Sequence, residues 1–466
     1  MIQITLNSAM NASLLLSRLA TLFFFLMPFS VASPGTLERP LIGYNLGAWC
    51  LEHPSWNESF YNTSNLLRPS FIRIPSGTLG NYWNWSSGAA ISPYTTPAGG
   101  STLLDFKALL DATEATPIFM LNMLTDSLEN QIKMLHSAAR VGLFNTTETV
   151  LLELGNEFYF GSYSSFFKDG GVYGALCAQW MDSITLEFPR AAFAVVTSPS
   201  FGSSGQRILS WDDQVFTSLK GRRFAVSMHE YHDSGLGCAG CPLTRARATA
   251  MLTAPAGIAS KLATTVSKLP AAVTDVWVTE WSLNMNKDAV SKEAAVFGSW
   301  ASGIFTAATA LLYACIPRVT MIGKHALLGD VSAGAIFGGS DGFNVVNSVD
   351  PSLPSLPWTP TASGLALGIL ANASFSARSL APLSLSPQST LLGAAFDDSR
   401  AVIINMDASP AQVPRASLPK AVTHFSGVSA DALLPINGIG SNSLLPHNGT
   451  VSDAILLPAY SVTQFF

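Results

Sequence analysis

Short apolar, β-rich runs recur along most of the chain, separated by stretches whose apolar residues fall at helical spacing. The runs at 41–45, 70–75, 117–122, 151–157, 192–197, 224–228, 276–280 and 318–324 read as eight strands. Helical periodicity marks 103–112, 127–139, 173–186, 244–267, 290–315 and 363–371. Strand alternating with helix eight times predicts an α/β fold, a (β/α)8 TIM barrel. The 290–315 stretch is strongly apolar, but Lys292, Glu293 and small polar residues interrupt it, so it reads as a buried helix and not a membrane span. From about residue 376 the pattern changes to short β-rich segments at 391–396, 401–406, 422–425, 454–457 and 461–466, set among Pro, Ser and Gly. That predicts a C-terminal β-sandwich domain over 376–466, appended to a barrel over 33–375.

Composition narrows the class. With 466 residues, 48% hydrophobic and only 12% charged, the chain has enough apolar surface for one large core and a smaller domain. A net charge of −5 with 25 Lys+Arg offers no nucleic-acid surface. Residues 14–31 are apolar around Phe23-Phe24-Phe25 and end in Ser30-Val31-Ala32, which reads as a secretory signal peptide over 1–32. The uninterrupted apolar part is short for a span and contains Pro28, so no stable membrane span is expected after cleavage. Glycosylation sequons stand at Asn57, Asn62, Asn84, Asn145, Asn372 and Asn448, and with the signal they predict a secreted or lumenal protein. Of five cysteines, Cys238 and Cys241 are close enough for a small-loop disulfide in an oxidising compartment, while Cys50, Cys177 and Cys315 are expected to be mostly buried and inert.

Candidate chemistry sits at strand ends. A buried strand holds a carboxylate only if something pairs with it or uses it. Glu157 closes the fourth strand and Glu280 the seventh, so both fall at the C-terminal face where barrel active sites lie. Two carboxyl groups at strand tips are what glycoside hydrolysis by double displacement needs. Arg73 lies among apolar neighbours in the second strand and requires carboxylate partners; Glu153, one layer deeper than Glu157, and Glu280 are the two candidates. His229 and Tyr231 follow the sixth strand, Asn122 ends the third and His325 ends the eighth, all candidate cleft residues. His229 and His232 have a His-x-x-His spacing, but without carboxylate support no metal site is expected.

Asn156-Glu157 after the fourth strand, with a glutamate at the end of the seventh, resembles the signature pair of the clan A glycoside hydrolases. The resemblance implies that Glu157 is the acid/base, that Asn156 holds the sugar 2-hydroxyl and that Glu280 is the nucleophile. It also implies that Arg73 and either Tyr231 or His229 attend that nucleophile. Arg73-Ile74-Pro75-Ser76-Gly77-Thr78 with Gly80-Asn81-Tyr82-Trp83, Glu153-Leu154-Gly155-Asn156-Glu157, and Leu457-Pro458-Ala459-Tyr460-Ser461-Val462 are similar to heparanase-type enzymes of glycoside hydrolase family 79. That family implies cofactor-free, retaining hydrolysis of β-linked glucuronides, with a glucuronide-containing glycan or glycoside as the carbohydrate substrate. Thr279-Glu280-Trp281-Ser282 resembles equally the nucleophile strands of clan A xylosidases and arabinofuranosidases, which implies a neutral sugar instead. The few Lys and Arg residues argue against gripping a long sulfated chain. A barrel that binds carbohydrate without cleaving it is the remaining alternative.

Overall fold

The computed structural model describes residues 35–36, 42–47, 56–75, 77–93, 100–145, 149–200, 205–233, 245–284, 300–327, 360–375, 377–383, 385, 390–397, 399–415, 418, 423–428, 447–450 and 454–466. Eight parallel strands close into a barrel in chain order: β1 (Ile42–Asn45), β2 (Phe71–Ile74), β3 (Thr116–Met120), β4 (Val150–Leu154), β5 (Ala191–Val196), β6 (Phe224–Asp233), β7 (Val273–Asn284) and β8 (Val319–His325). A helix follows each: α1 (Glu58–Leu66), α2 (Leu103–Thr113), α3 (Leu128–Arg140), α4 (Gly170–Glu187), α5 (Gln206–Ser218), α6 (Arg245–Lys268), α7 (Trp300–Ala314) and α8 (Ala362–Ser374). The (β/α)8 expectation therefore holds. The apolar pattern did not announce α1 or α5. Each buries a thin stripe, Phe60 and Ser64 in α1, Trp211 and Val215 in α5, too few positions to set up a visible period. At the other extreme α7 is buried on every side, as its uniformly apolar sequence requires. No helix among the described residues is long and apolar enough to cross a membrane.

The barrel interior is layered. Phe71, Ile118, Leu151, Ala194, Ala225, Trp277 and Met321 form an apolar plug. Gly43 makes room for it, since a Cβ there would lie 2.2 Å from the Phe71 carbonyl oxygen. Two residues further along their strands, on the same face, stand Arg73, Glu153, Ser227 and Thr279. The plug closes the bottom, and the layer above it is polar and fully buried. A polar layer is stable there only if its members satisfy one another, which defines the floor of the site.

Beyond α8 come β9 (Ser379–Pro382), β10 (Leu391–Phe396), β11 (Arg400–Asn405), β12 (Ala411–Pro414), β13 (Thr423–Val428), β14 (His447–Thr450), β15 (Ala454–Leu457) and β16 (Ser461–Phe465). An N-terminal strand, Gly35–Thr36, joins β9, β10, β11, β16, β13 and β14 in one antiparallel sheet, while β12 and β15 pair separately. Leu391, Ala401, Ile403 and Phe465 of the large sheet pack with Val413, Ile455 and Leu457 of the small one, so two sheets enclose a common apolar layer. These strands rest on the barrel through α7 and α8: Trp300 Nε1 donates to the Tyr460 carbonyl at 2.7 Å, and Asn372 Nδ2 to Gln464 Oε1 at 3.0 Å.

The signal segment and Cys238–Cys241 lie outside the described residues, as does Cys50. Cys177 is a buried free thiol and Cys315 a free, half-buried one. Among the sequons, Asn57, Asn62 and Asn145 are exposed. Asn57 caps α1 by accepting from Phe60 N at 3.0 Å, and Asn84 Oδ1 accepts from Ser86 N at 3.0 Å. Asn448 lies in β14, opposite Phe425. The Asn372 amide nitrogen, already bonded to buried Gln464, would have to leave that partner to carry a glycan.

Candidate active site

Arg73 is the centre of the polar layer. Its Nε donates to Glu153 Oε2, its Nη1 to Glu280 Oε1 at 2.6 Å, and its Nη2 to Asn156 Oδ1 at 2.8 Å and Met120 Sδ at 3.3 Å. Both partners anticipated from the sequence are therefore used at once. Burial alone would lower the guanidinium's pKa, but the charges of Glu153 and Glu280 outweigh it and push it up. Glu153 is held in turn by Ser227 Oγ and by Thr279 Oγ1 at 2.7 Å, so one carboxylate ties β2, β4, β6 and β7 together. Burial would raise its pKa, but Arg73 and His229 hold it below the usual range.

Glu280 reaches the interior through a bulge. Met228 pairs with Val278 and His229 with Glu280, leaving Thr279 as an extra residue in β7. Adjacent Thr279 and Glu280 can thus both face inward, which strict alternation forbids. Glu280 Oε2 accepts from Tyr231 Oη at 2.6 Å and lies 3.6 Å from His229 Nδ1. Burial opposes its charge, yet His229, Arg73, His325 and the Tyr231 hydroxyl together hold its pKa far below the usual range. The Gly77 backbone lies against it: a Cβ at Gly77 would meet Glu280 Oε1 at 3.9 Å.

Glu157 arrives differently from the expected strand end. β4 stops at Leu154, and Gly155 (φ +90°) and Glu157 (φ +54°) turn the chain. Phe158 packs over Gly155, where a Cβ would lie 2.0 Å from Phe158 Cε2. Only glycine fits that contact at that φ. Glu157 Oε1 accepts from Tyr159 Oη at 3.0 Å and meets His229 Nδ1 at 3.1 Å. A carboxylate oxygen of Glu157, a ring nitrogen of His229 and a carboxylate oxygen of Glu280 all lie within 4.8 Å of one another. His229 Nε2 lies 3.8 Å from Glu153 Oε1, an ionic contact beyond hydrogen-bond range. Burial would lower the pKa of His229, but Glu280, Glu153 and Glu157 push it up to about 10, so the ring is an imidazolium at neutral pH. To hold a metal, the Glu157–His229–Glu280 set would first have to give up that proton.

The other anticipated residues divide. His229 and Tyr231 lie within β6, which runs on to Asp233, and not in a loop after it. His232 faces the other way, its Nε2 2.5 Å from the Tyr313 hydroxyl of α7, so the two histidines of the His-x-x-His pair do not converge. His325 stands 4.0 Å from Glu280 Oε2 with its Nδ1 3.0 Å from Asn45 Nδ2, and burial lowers its pKa to about 4. Asn45 Oδ1 accepts from Gly47 N, which orients the amide so that His325 Nδ1 is the acceptor. Asn122 is engaged in its own turn: Oδ1 accepts from Leu124 N and Thr125 N, and Nδ2 donates to the Trp83 carbonyl and Thr125 Oγ1. Asn156 is fully buried; Arg73 occupies its Oδ1, and its Nδ2 has no hydrogen-bond partner among the described residues. Sequence reasoning passed over Asn45, Tyr159, Ser227 and Thr279. A polar residue two positions from a site residue on the same strand, as Ser227 is from His229, was the available signal.

No protein-family model and no curated protein matches the chain. Its fold does match solved structures. A family 51 α-L-arabinofuranosidase from Thermotoga petrophila is 12% identical, with 92% of this chain and 98% of that chain covered and a TM-score of 0.60. The corresponding values for a family 51 α-L-arabinofuranosidase from Bifidobacterium longum are 13%, 93%, 98% and 0.62. For the catalytic domain of a family 30 xylanase from Talaromyces cellulolyticus they are 11%, 93%, 98% and 0.50. At these identities the likeness is one of fold, an eight-stranded parallel barrel ringed by helices with small C-terminal antiparallel sheets.

Proposed function

We propose that this protein is a retaining O-glycoside hydrolase, with Glu280 as nucleophile and Glu157 as acid/base. The observation that carries the reading is the approach of Glu157 and Glu280 to within 4.8 Å between carboxylate oxygens. Retaining pairs lie roughly 5–5.5 Å apart, whereas inverting pairs stand roughly 6.5–9.5 Å apart to admit a water. Glu280, kept ionised by Arg73, His229 and Tyr231, attacks the anomeric carbon. Glu157 delivers its proton to the glycosidic oxygen, and the aglycone departs as an alcohol. Glu157 then takes a proton from water, whose oxygen displaces the Glu280 ester and restores the original anomeric configuration. The unpartnered Asn156 amide is the donor for the sugar 2-hydroxyl, in a direction fixed by Arg73 on its Oδ1.

A neutral pentoside is the substrate this electrostatics supports. Three carboxyl groups, Glu153, Glu157 and Glu280, share two firmly charged donors, Arg73 and His229. Lys324 donates to Ser282 Oγ and the His325 carbonyl, and burial lowers its pKa to about 7. A glucuronate carboxylate entering this floor adds a fourth acid, and among the described residues no further firmly charged cation stands there to meet it. The fold likeness to arabinofuranosidases and a xylanase points the same way. A second reading, β-glucuronides, rests on the resemblance of the 73–78 and 457–462 motifs to family 79. Turnover of aryl arabinofuranosides, xylosides and glucuronides at equal concentration separates them: hydrolysis of a pentoside with retention is expected. Preference for the glucuronide would replace the neutral-sugar reading, and no turnover of any aryl glycoside would defeat the enzyme reading.

A further inference from the structure

Glu157 sits on a turn held only in part by its own backbone, where Phe160 N donates to the Glu157 carbonyl at 3.1 Å. Its φ of +54° is one that residues with a Cβ seldom adopt, and such a conformation persists only where the surroundings impose it. From outside, Asn81 Nδ2 donates to the Asn156 carbonyl at 3.0 Å, and the loop that follows Glu157 is gripped by Arg207, at the start of α5 and outside the floor of the site. Arg207 Nε donates to the Tyr159 carbonyl at 3.1 Å, Nη1 to the Lys168 carbonyl at 2.5 Å, and Nη2 to the Phe158 and Phe167 carbonyls at 2.8 and 2.7 Å. Four carbonyls from the two ends of the 158–168 loop thus meet on one planar fork. The guanidinium itself lies over the Trp211 ring, its Cζ 4.9 Å from the ring centroid. Tyr159, whose carbonyl Arg207 holds, is the residue whose hydroxyl donates to Glu157 Oε1.

We infer that Arg207 is a positioning residue for proton transfer, fixing Glu157 and its Tyr159 partner through the backbone of the loop that carries them. The inference rests on the reading of Glu157 as acid/base. The geometry asks for a fork: a lysine offers a point charge with rotating donors and cannot hold four carbonyls in one plane. Loss of the clamp leaves Glu280 with its own partners, Arg73 and Tyr231, untouched. The defect is therefore confined to the two proton transfers of Glu157, and kcat/KM, which reports the steps up to departure of the aglycone, isolates the one to the departing oxygen. A merely structural role for Arg207 would slow every substrate alike.

The test is the leaving-group dependence of kcat/KM for Arg207→Gln, Arg207→Lys and Glu157→Ala on dinitrophenyl and phenyl glycosides of the sugar the wild type accepts. General acid catalysis contributes typically 10²–10⁴-fold. A displaced acid should therefore cost Arg207→Gln roughly 10- to 100-fold on the phenyl glycoside, and less than about twofold on the dinitrophenyl glycoside, which departs unaided. Arg207→Lys should show the same bias, more weakly. Equal losses on both substrates, or no loss on either, would overturn the inference. If Arg207→Gln does not fold, Arg207→Lys decides by the same ratio. If Glu157→Ala itself lacks the leaving-group bias, the acid/base reading has failed. If Glu157→Ala has the bias and the folded Arg207 variants do not, only the role of Arg207 has.

Discussion

Arg73 on β2 and Glu280 on β7 meet at 2.6 Å inside the barrel, with 0% and 4% of their side chains exposed. The contact belongs to a fork whose other arms hold Glu153 and Asn156, so a single guanidinium orients a buried acid, the proposed nucleophile and the amide proposed for the sugar 2-hydroxyl. Arg73→Lys should retain a positive charge while losing this geometry. Removing one preorganised donor from a charged site typically costs about 10²–10³-fold in kcat. We expect a loss of that order, measured by steady-state kinetics. Arg73→Ala should further destabilise the fold by about 3–5 kcal/mol, because two buried carboxylates lose their partner. Denaturant unfolding checks this; an unchanged midpoint would mean that the pair contributes nothing to folding.

Gly155 makes a separate, purely steric prediction. Its φ is +90°, and an added Cβ would overlap the Phe158 ring. Gly155→Ala should destabilise the protein by about 1–3 kcal/mol or more through backbone strain alone. Thermal unfolding should show a lower midpoint, and activity should fall because the displaced turn carries Glu157.

The pH dependence of stability has a definite sign. The pKa of His229 rises from an ordinary value of about 6.5 to about 10 in the folded protein. Its contribution is fully present below about pH 6.5 and is lost as pH rises through about 10. His232 and His325 act oppositely: burial lowers their pKa values to about 3 and about 4, so they oppose folding as pH falls below about 6.5. Between about pH 7 and about pH 11 the wild type should therefore lose more thermal stability than His229→Gln. Parallel curves for the two proteins would contradict the protonated state of His229.

Much of this arrangement was legible in the sequence, and the exceptions have physical causes. The eight apolar runs marked every barrel strand, because a strand covered on both sides leaves its signature in residue type alone. Helices α1 and α5 left little signature, since one stripe of two buried residues is below what a period can show. Arg73, Glu157, Glu280 and Tyr231 converge because strand ends of a barrel meet at one face. The bulge at Thr279 was invisible: a bulge is a relation between two strands, and nothing in one strand's composition announces it. Arg207 was invisible for a similar reason, as it acts on backbone carbonyls, which every sequence possesses. Asn122 had the position of a cleft residue but is committed to its own turn, a competition between local and functional hydrogen bonds that residue type does not resolve.

The division of labour between Glu157 and Glu280 is tested most directly by chemical rescue. Glu157→Ala should hydrolyse phenyl glycosides poorly but still form the Glu280 ester from a dinitrophenyl glycoside, which needs little protonation to depart. Azide, a small anion that attacks without base assistance, should then restore turnover. The measurement is the anomeric configuration of the glycosyl azide, read by proton NMR. Two successive inversions at the anomeric carbon predict an azide with the configuration of the substrate. An azide of opposite configuration from Glu157→Ala would mean direct displacement, with Glu157 as the missing nucleophile and the two roles reversed.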